Sequence, residues 1–135
     1  MGNFLESEKI RQAEFKKTST SLSEAARLDG EFRGADRSFC LPQELSLETL
    51  YPPIRKDSIS FYKKHGIIWH QGINENPSNH LCDSMTCCAN FLFPFSDQRD
   101  ALKALLAPFF PDIERMLPVE DDRFVSFEWI GAQNY

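Results

Sequence analysis

No run of about 18 apolar residues occurs in the 135-residue sequence, so no segment reads as a membrane-spanning helix. The start, Met1-Gly2-Asn3-Phe4-Leu5-Glu6, lacks the basic-then-apolar order of a secretory leader. Its Met-Gly opening meets only part of the myristoylation pattern, because Glu6 stands where Ser or Thr is required. A cytoplasmic address is therefore expected. Cys-x-x-Cys pairs are also missing: Cys82, Cys87 and Cys88 crowd one segment, Cys40 stands alone, and vicinal Cys87-Cys88 is a poor disulfide. In a reducing compartment all four are expected as thiols, three of them buried. Basic charge is short as well. Twenty acids face 15 bases, a formal net charge of −5, and no stretch forms a basic patch able to hold a phosphate backbone unaided.

The acidity is uneven, with eight acids against four bases over 97–135 and five of each over 37–96. The chain is 41% hydrophobic with 12 Phe, enough for one globular core and too short for two ordinary ones. Residues 1–29 are the exception: charged, Ser- and Thr-containing and thinly apolar, they read as a flexible or weakly helical segment preceding a domain over 30–135. Gly30, Gly34 and the charges between suggest a loop. Pro52-Pro53 fits a helix start, and the spacing predicts a helix from Ile54 to Lys64 stopped by Gly66. Ile67-Ile68-Trp69-His70 reads as a short strand, and 71–78 as a loop.

A helix is predicted over 79–93, capped by Ser78 or Asn79, with Leu81, Met85, Cys88, Ala89 and Leu92 on one face and His80, Ser84, Cys87 and Phe91 on another. Only Asp83 is charged between Ser78 and Phe95, so this helix is expected to be surrounded by protein. Another helix is predicted over 97–107. Phe124 to Ile130 is strand-like by its aromatic and β-branched content. A strand needs partners, and the only other candidate is Ile67–His70, so the end of the chain reads as an interrupted sheet.

Three passages in order resemble one family: Ile68-Trp69-His70-Gln71-Gly72, then Pro77 to Ser84 running on through Cys88 to Phe95, then Val125 to Gly131. They are similar to the N-terminal half of a group of bacterial restriction-endonuclease-like proteins with a PD-(D/E)XK fold. Phe32-Arg33-Gly34 and Leu50 to Arg55 fit the same opening. The resemblance implies an α+β, mostly helical chain: the helical N-terminal portion of a restriction-endonuclease-like α/β fold ending in a strand. It implies DNA as partner, Mg²⁺ as cofactor and metal-dependent phosphodiester hydrolysis in the complete family. The strand-borne Asp and Glu-x-Lys of that chemistry are expected downstream, leaving this chain inactive alone and its catalytic residues unknown.

Substitutes are few. Glu14-Phe15-Lys16 is the one Glu-x-Lys match, in a helical context. Glu128, mid-strand among aromatics, is the candidate accessory acid. Trp69, His70, His80, Ser84 and Asn90 are candidates for support of the catalytic sheet or contact with substrate. A zinc site from His80, Cys82, Cys87 and Cys88 is disfavoured, since a helix points Cys82 and Cys88 about a third of a turn apart. A His-Asn-His nuclease set (His70, Asn79, His80) lacks its second strand, and Cys87 with His80 as a nucleophile pair is a common coincidence. The rival to a nuclease is a small non-catalytic interaction module that pairs with a protein partner, or with the remainder of the chain, through the 123–130 strand.

Overall fold

The computed structural model describes residues 2–128 and divides after Asn90 into two compact units. The architecture is mostly helical α+β. Among the described residues there are four α-helices, short 3-10 turns and a two-stranded antiparallel sheet.

In the first unit, α1 spans Gly2–Thr18. It lies within the segment 1–29 read as flexible or weakly helical, and the end of the helix is tied down. Lys16 is only 2% exposed, and its Nζ donates to Leu28 O (3.0 Å), Asp29 Oδ1 (2.8 Å) and Cys40 O (3.0 Å). Leu22 and Ala26 follow into a core with Leu41 and Leu81. The apolar content of 1–29 is low, but a polar side chain supplies the anchor.

Where a loop was expected, the chain makes a hairpin. Strand β1 (Gly30–Phe32) pairs with β2 (Ala35–Arg37) in the register Gly30↔Arg37, Glu31↔Asp36, Phe32↔Ala35. Arg33 and Gly34 form the turn at φ 53° and 77°, the pair of left-handed residues that a two-residue hairpin favours. Gly30 is pressed so close to the neighbouring chain that a Cβ there would lie 1.8 Å from Leu41 O.

The next block follows expectation. A 3-10 turn, Pro52–Ile54, leads into α2 (Arg55–Lys64), with Lys63 and Lys64 in the last turn. Gly66 at φ 65° ends it. Arg55 reaches back to the carbonyls of Leu50 (2.8 Å) and Ser21 (3.1 Å), closing the carbonyl end of the 3-10 run Gln43–Thr49. Ile67–His70 makes no strand. Ile67 N–H donates to Tyr62 O, Trp69 packs inward on Tyr62, and Ile68 is 88% exposed, so only one side of this segment finds protein.

The centre of the unit is the buried segment Pro77-Ser78-Asn79. Asn79 Nδ2 donates to Glu31 O (3.0 Å) and Leu41 O (2.7 Å), while Asn79 O accepts from Leu41 N–H (2.9 Å). These bonds explain why the helix predicted over 79–93 starts late. Asn79 is spent on distant backbone, and His80 bridges to Cys40 instead of entering a helical turn. The helix α3 runs over Ser84–Leu92, opened by Asp83, whose Oδ1 accepts from Thr86 N–H (2.9 Å) and Thr86 Oγ1 (3.0 Å). Nor is it surrounded. Thr86 and Ala89 are buried, whereas Cys87, Cys88 and Phe91 are exposed. The expectation of three buried cysteines is corrected too: Cys40 is buried and Cys82 only half so.

In the second unit, a 3-10 turn (Phe93–Phe95) precedes α4 (Arg99–Leu106), which buries Leu102. Phe93 stacks on Phe127 with centroids 5.6 Å apart, and Arg123 lies 5.2 Å over Phe93. The strand expected over 124–130 is not formed across 124–128: Phe124 N–H donates to Ser96 O and Ser126 Oγ to a Glu120 carboxylate oxygen, so its polar groups turn to local partners. Residues 129 and 130 of that segment lie outside the described residues.

Candidate nucleic-acid interface

A groove of about 520 Å³ opens in the first unit. One wall is the hairpin, which supplies Phe32, Arg33 and Arg37; α1 supplies Leu5, Glu6 and Lys9. The other wall is His70, Gln71, His80 and the Cys82–Ser84 approach to α3. Three of the candidate residues thus come together here: His70, His80 and Ser84.

His80 sits at the back. Its ring meets Phe32 edge-on at 4.9 Å and Phe39 at 4.8 Å. Its Nδ1 accepts the Cys82 N–H (2.9 Å), so in the neutral ring the proton resides on Nε2. Burial lowers its pKa below the ordinary value, and the nearby Lys9 and Arg33 charges add to that while Asp83 opposes it. His80 is therefore a neutral hydrogen-bond donor at physiological pH. His70 is the exposed counterpart: its N–H contacts Met85 Sδ (3.3 Å) and its Nδ1 lies 3.7 Å from Asp83 Oδ2. Ser84 is exposed at the first position of α3.

The cations are the part the sequence did not reveal. Arg33 lies 5.3 Å over the Phe32 ring and Lys9 5.0 Å over Phe39. Lys9 is also paired with Glu6 (2.8 Å), but Arg33 and Arg37 make no ion pair among the described residues. An arginine held at positive φ, where Asn or Gly would be relaxed, costs on the order of 1–3 kcal/mol. Asp36, facing Glu31 across the strands, is exposed.

The remaining candidates sit elsewhere. Trp69 is buried, stacked on Tyr62 at 4.0 Å and 15°, a packing role. Asn90 clamps the chain before α2: its Oδ1 accepts from Tyr51 N–H (2.7 Å) and its Nδ2 donates to Thr49 O (2.9 Å). Glu128 belongs to the second unit, exposed, at φ 49°. Glu14-Phe15-Lys16 holds no catalytic geometry, since Lys16 is consumed by its three acceptors and Glu14 pairs with Lys17 (2.9 Å).

The groove carries three cations and two carboxylates. The family model for restriction endonucleases associating with ARP matches residues 9–134, and the chain belongs to that family. No curated protein and no solved structure matches it. Among the described residues no helix is long and apolar enough to cross a membrane.

A Mg²⁺ centre, implied by the PD-(D/E)XK resemblance, needs hard oxygen ligands converging on one point. Among the described residues no three His, Cys, Asp or Glu side chains do so. Both groove carboxylates have partners, Glu6 in Lys9 and Asp83 in Thr86. The described residues do not fit such a centre.

Proposed function

We propose that this chain is the DNA-contacting portion of a restriction endonuclease of the PD-(D/E)XK type. Its groove holds the phosphate backbone, and the Asp and Glu-x-Lys strands that would bind Mg²⁺ are supplied from outside the described residues. The observation that carries the reading is the pair Arg33 and Arg37, which make no ion pair among the described residues and line one aromatic groove with His80 and Ser84. Arginine is a favoured phosphate ligand. Membership of a restriction-endonuclease family supports DNA as the polyanion.

Only three cations line the groove, against two carboxylates, so affinity is modest and loses about two phosphate contacts' worth of salt dependence. The test is fluorescence anisotropy with labelled DNA across a salt series. Arg33→Asn with Arg37→Ala is expected to weaken binding at least about tenfold and flatten the salt slope, and binding equal to the parent's refutes the reading. The same protein with plasmid and Mg²⁺ or Mn²⁺ is expected to show no cleavage. Cleavage lost on His70→Ala would transfer the chemistry to this groove.

A second reading, a protein-interaction role, is favoured by one observation: Phe109 and Phe110 of the second unit are both exposed. The family description names an association with ARP, and we propose that such a partner docks on this apolar pair rather than on a strand edge at 123–130. Loss of a pulled-down ARP partner with Phe109→Ser and Phe110→Ser is the expected result.

A further inference from the structure

The groove is a cleft, and a DNA duplex is too wide to enter it. At about 520 Å³ it falls within the roughly 300–1,000 Å³ range of small-molecule pockets. Arg33 and Arg37 are exposed, whereas Phe32, Phe39 and His80 are half-buried. His80 meets Phe32 edge-on at 4.9 Å and Phe39 at a tilt at 4.8 Å, an aromatic cluster in the lining of the groove. Aromatic surface in a cation-rimmed cleft is what an unpaired base stacks on, because every base has a π-face. The His80 Nε2–H adds a donor where a base carbonyl or ring nitrogen can accept. Arg33 and Arg37 are left for the phosphate.

We infer that the groove takes one unpaired nucleotide, from a single strand or pushed out of a duplex, with its base against Phe32, Phe39 and His80 and its phosphate on Arg33 and Arg37. The inference rests on the DNA-contact reading and goes beyond it. It names an extruded or single-stranded nucleotide as the ligand and assigns Phe39 and His80 to base recognition.

The experiment uses the full chain and three fluorescein-labelled probes of one sequence: a single strand, a matched duplex, and a duplex carrying a one-nucleotide bulge. Single strand and bulge are expected to bind about tenfold or more tighter than the matched duplex, the scale of one base-stacking contact. Phe39→Leu keeps an apolar side chain under Lys9; it is expected to remove that preference, bringing single strand and bulge down to the affinity of the matched duplex. Arg37→Ala is expected to weaken all three probes alike. Circular dichroism melts of both variants establish that they are folded; His80→Gln, expected to lose the same preference, replaces Phe39→Leu if that variant unfolds. Equal binding of duplex and single strand, still dependent on Arg37, overturns the nucleotide pocket and spares the DNA reading. A preference that survives both Phe39→Leu and His80→Gln overturns it as well. No binding to any probe overturns both.

Discussion

Lys16 offers the sharpest test of how the N-terminal helix is held. Lys16→Met keeps most of the stem and deletes three hydrogen bonds, to Leu28 O, Asp29 Oδ1 and Cys40 O. Cys40 O retains the Gly30 N–H at 3.2 Å, and Leu28 and Asp29 are exposed, so no acceptor is stranded away from water. The loss is then that of bonds from a charged donor, of which a fully buried one is worth about 1.5–3 kcal/mol. Relief of burying the ammonium offsets part of the sum, leaving an expected cost of ~2 kcal/mol. Lys16→Ala also empties the space of three buried methylenes, and truncation of a buried Met to Ala costs about 2–5 kcal/mol, so this variant should fall clearly below Lys16→Met. Lys17→Ala, which breaks only an exposed pair with Glu14, should cost under ~0.5 kcal/mol. In urea unfolding, ~2 kcal/mol is a midpoint shift of about 1 M at the slope usual for a small domain. Limited proteolysis should then release α1 from Lys16→Met before the rest is cut. A Lys16→Met midpoint equal to or above the parent's would refute the reasoning. It would mean that the buried amine is a burden of the kind that apolar replacement relieves.

Leu81→Ala, in the cluster with Leu22, Ala26 and Leu41, should lose about 2–5 kcal/mol in denaturant unfolding, a large part of a small domain's stability; a loss under ~1 kcal/mol would place the core elsewhere. His80 has a folded pKa below its ordinary 6.5, so the unfolded chain binds the proton more readily. Its effect is absent above about pH 6.5 and becomes destabilising as the pH falls below it. The melting temperature of the parent should therefore drop more steeply between pH 7 and 5 than that of His80→Gln, and parallel curves would count against it. Burial raises the Cys40 thiol to about 11, with Lys16 pulling the other way. Mass-spectrometric mapping after iodoacetamide at pH 8 should find Cys40 unlabelled until the protein is unfolded, and early labelling there would contradict its burial.

Elements written by local chemistry were readable in the sequence. Pro52-Pro53 and Gly66 bracket α2 because a missing N–H and a positive φ act where they stand. Residues 97–107 gave α4 for a similar reason, an apolar face at helical spacing. The hairpin escaped because its strands are three residues each, too short for an alternating pattern, and because Arg33 occupies the turn position where Asn or Asp would have advertised it. The early start assigned to α3 failed on Asn79, whose amide caps no helix and bonds chain 38 and 48 residues away. Such partners leave no trace in spacing. The groove divides in the same way. His70, His80, Ser84 and Arg33 lie in passages carried by the family resemblance, Lys9 and Arg37 do not, and the three cations meet only once α1 and the hairpin have folded.

The amide of Asn79 also sets a timetable for synthesis. It closes on Glu31 and Leu41, so the hairpin and the strand-like passage after it have a gap in their bonding until residue 79 has left the ribosome. At about 5–20 residues per second, the nascent chain spends some seconds with α1, the hairpin and Leu41 made but unjoined. During that interval the hairpin edge and the Leu22–Leu41 surface are open to other chains. Any codon-level slowdown that delays the exit of residue 79 would lengthen the exposure.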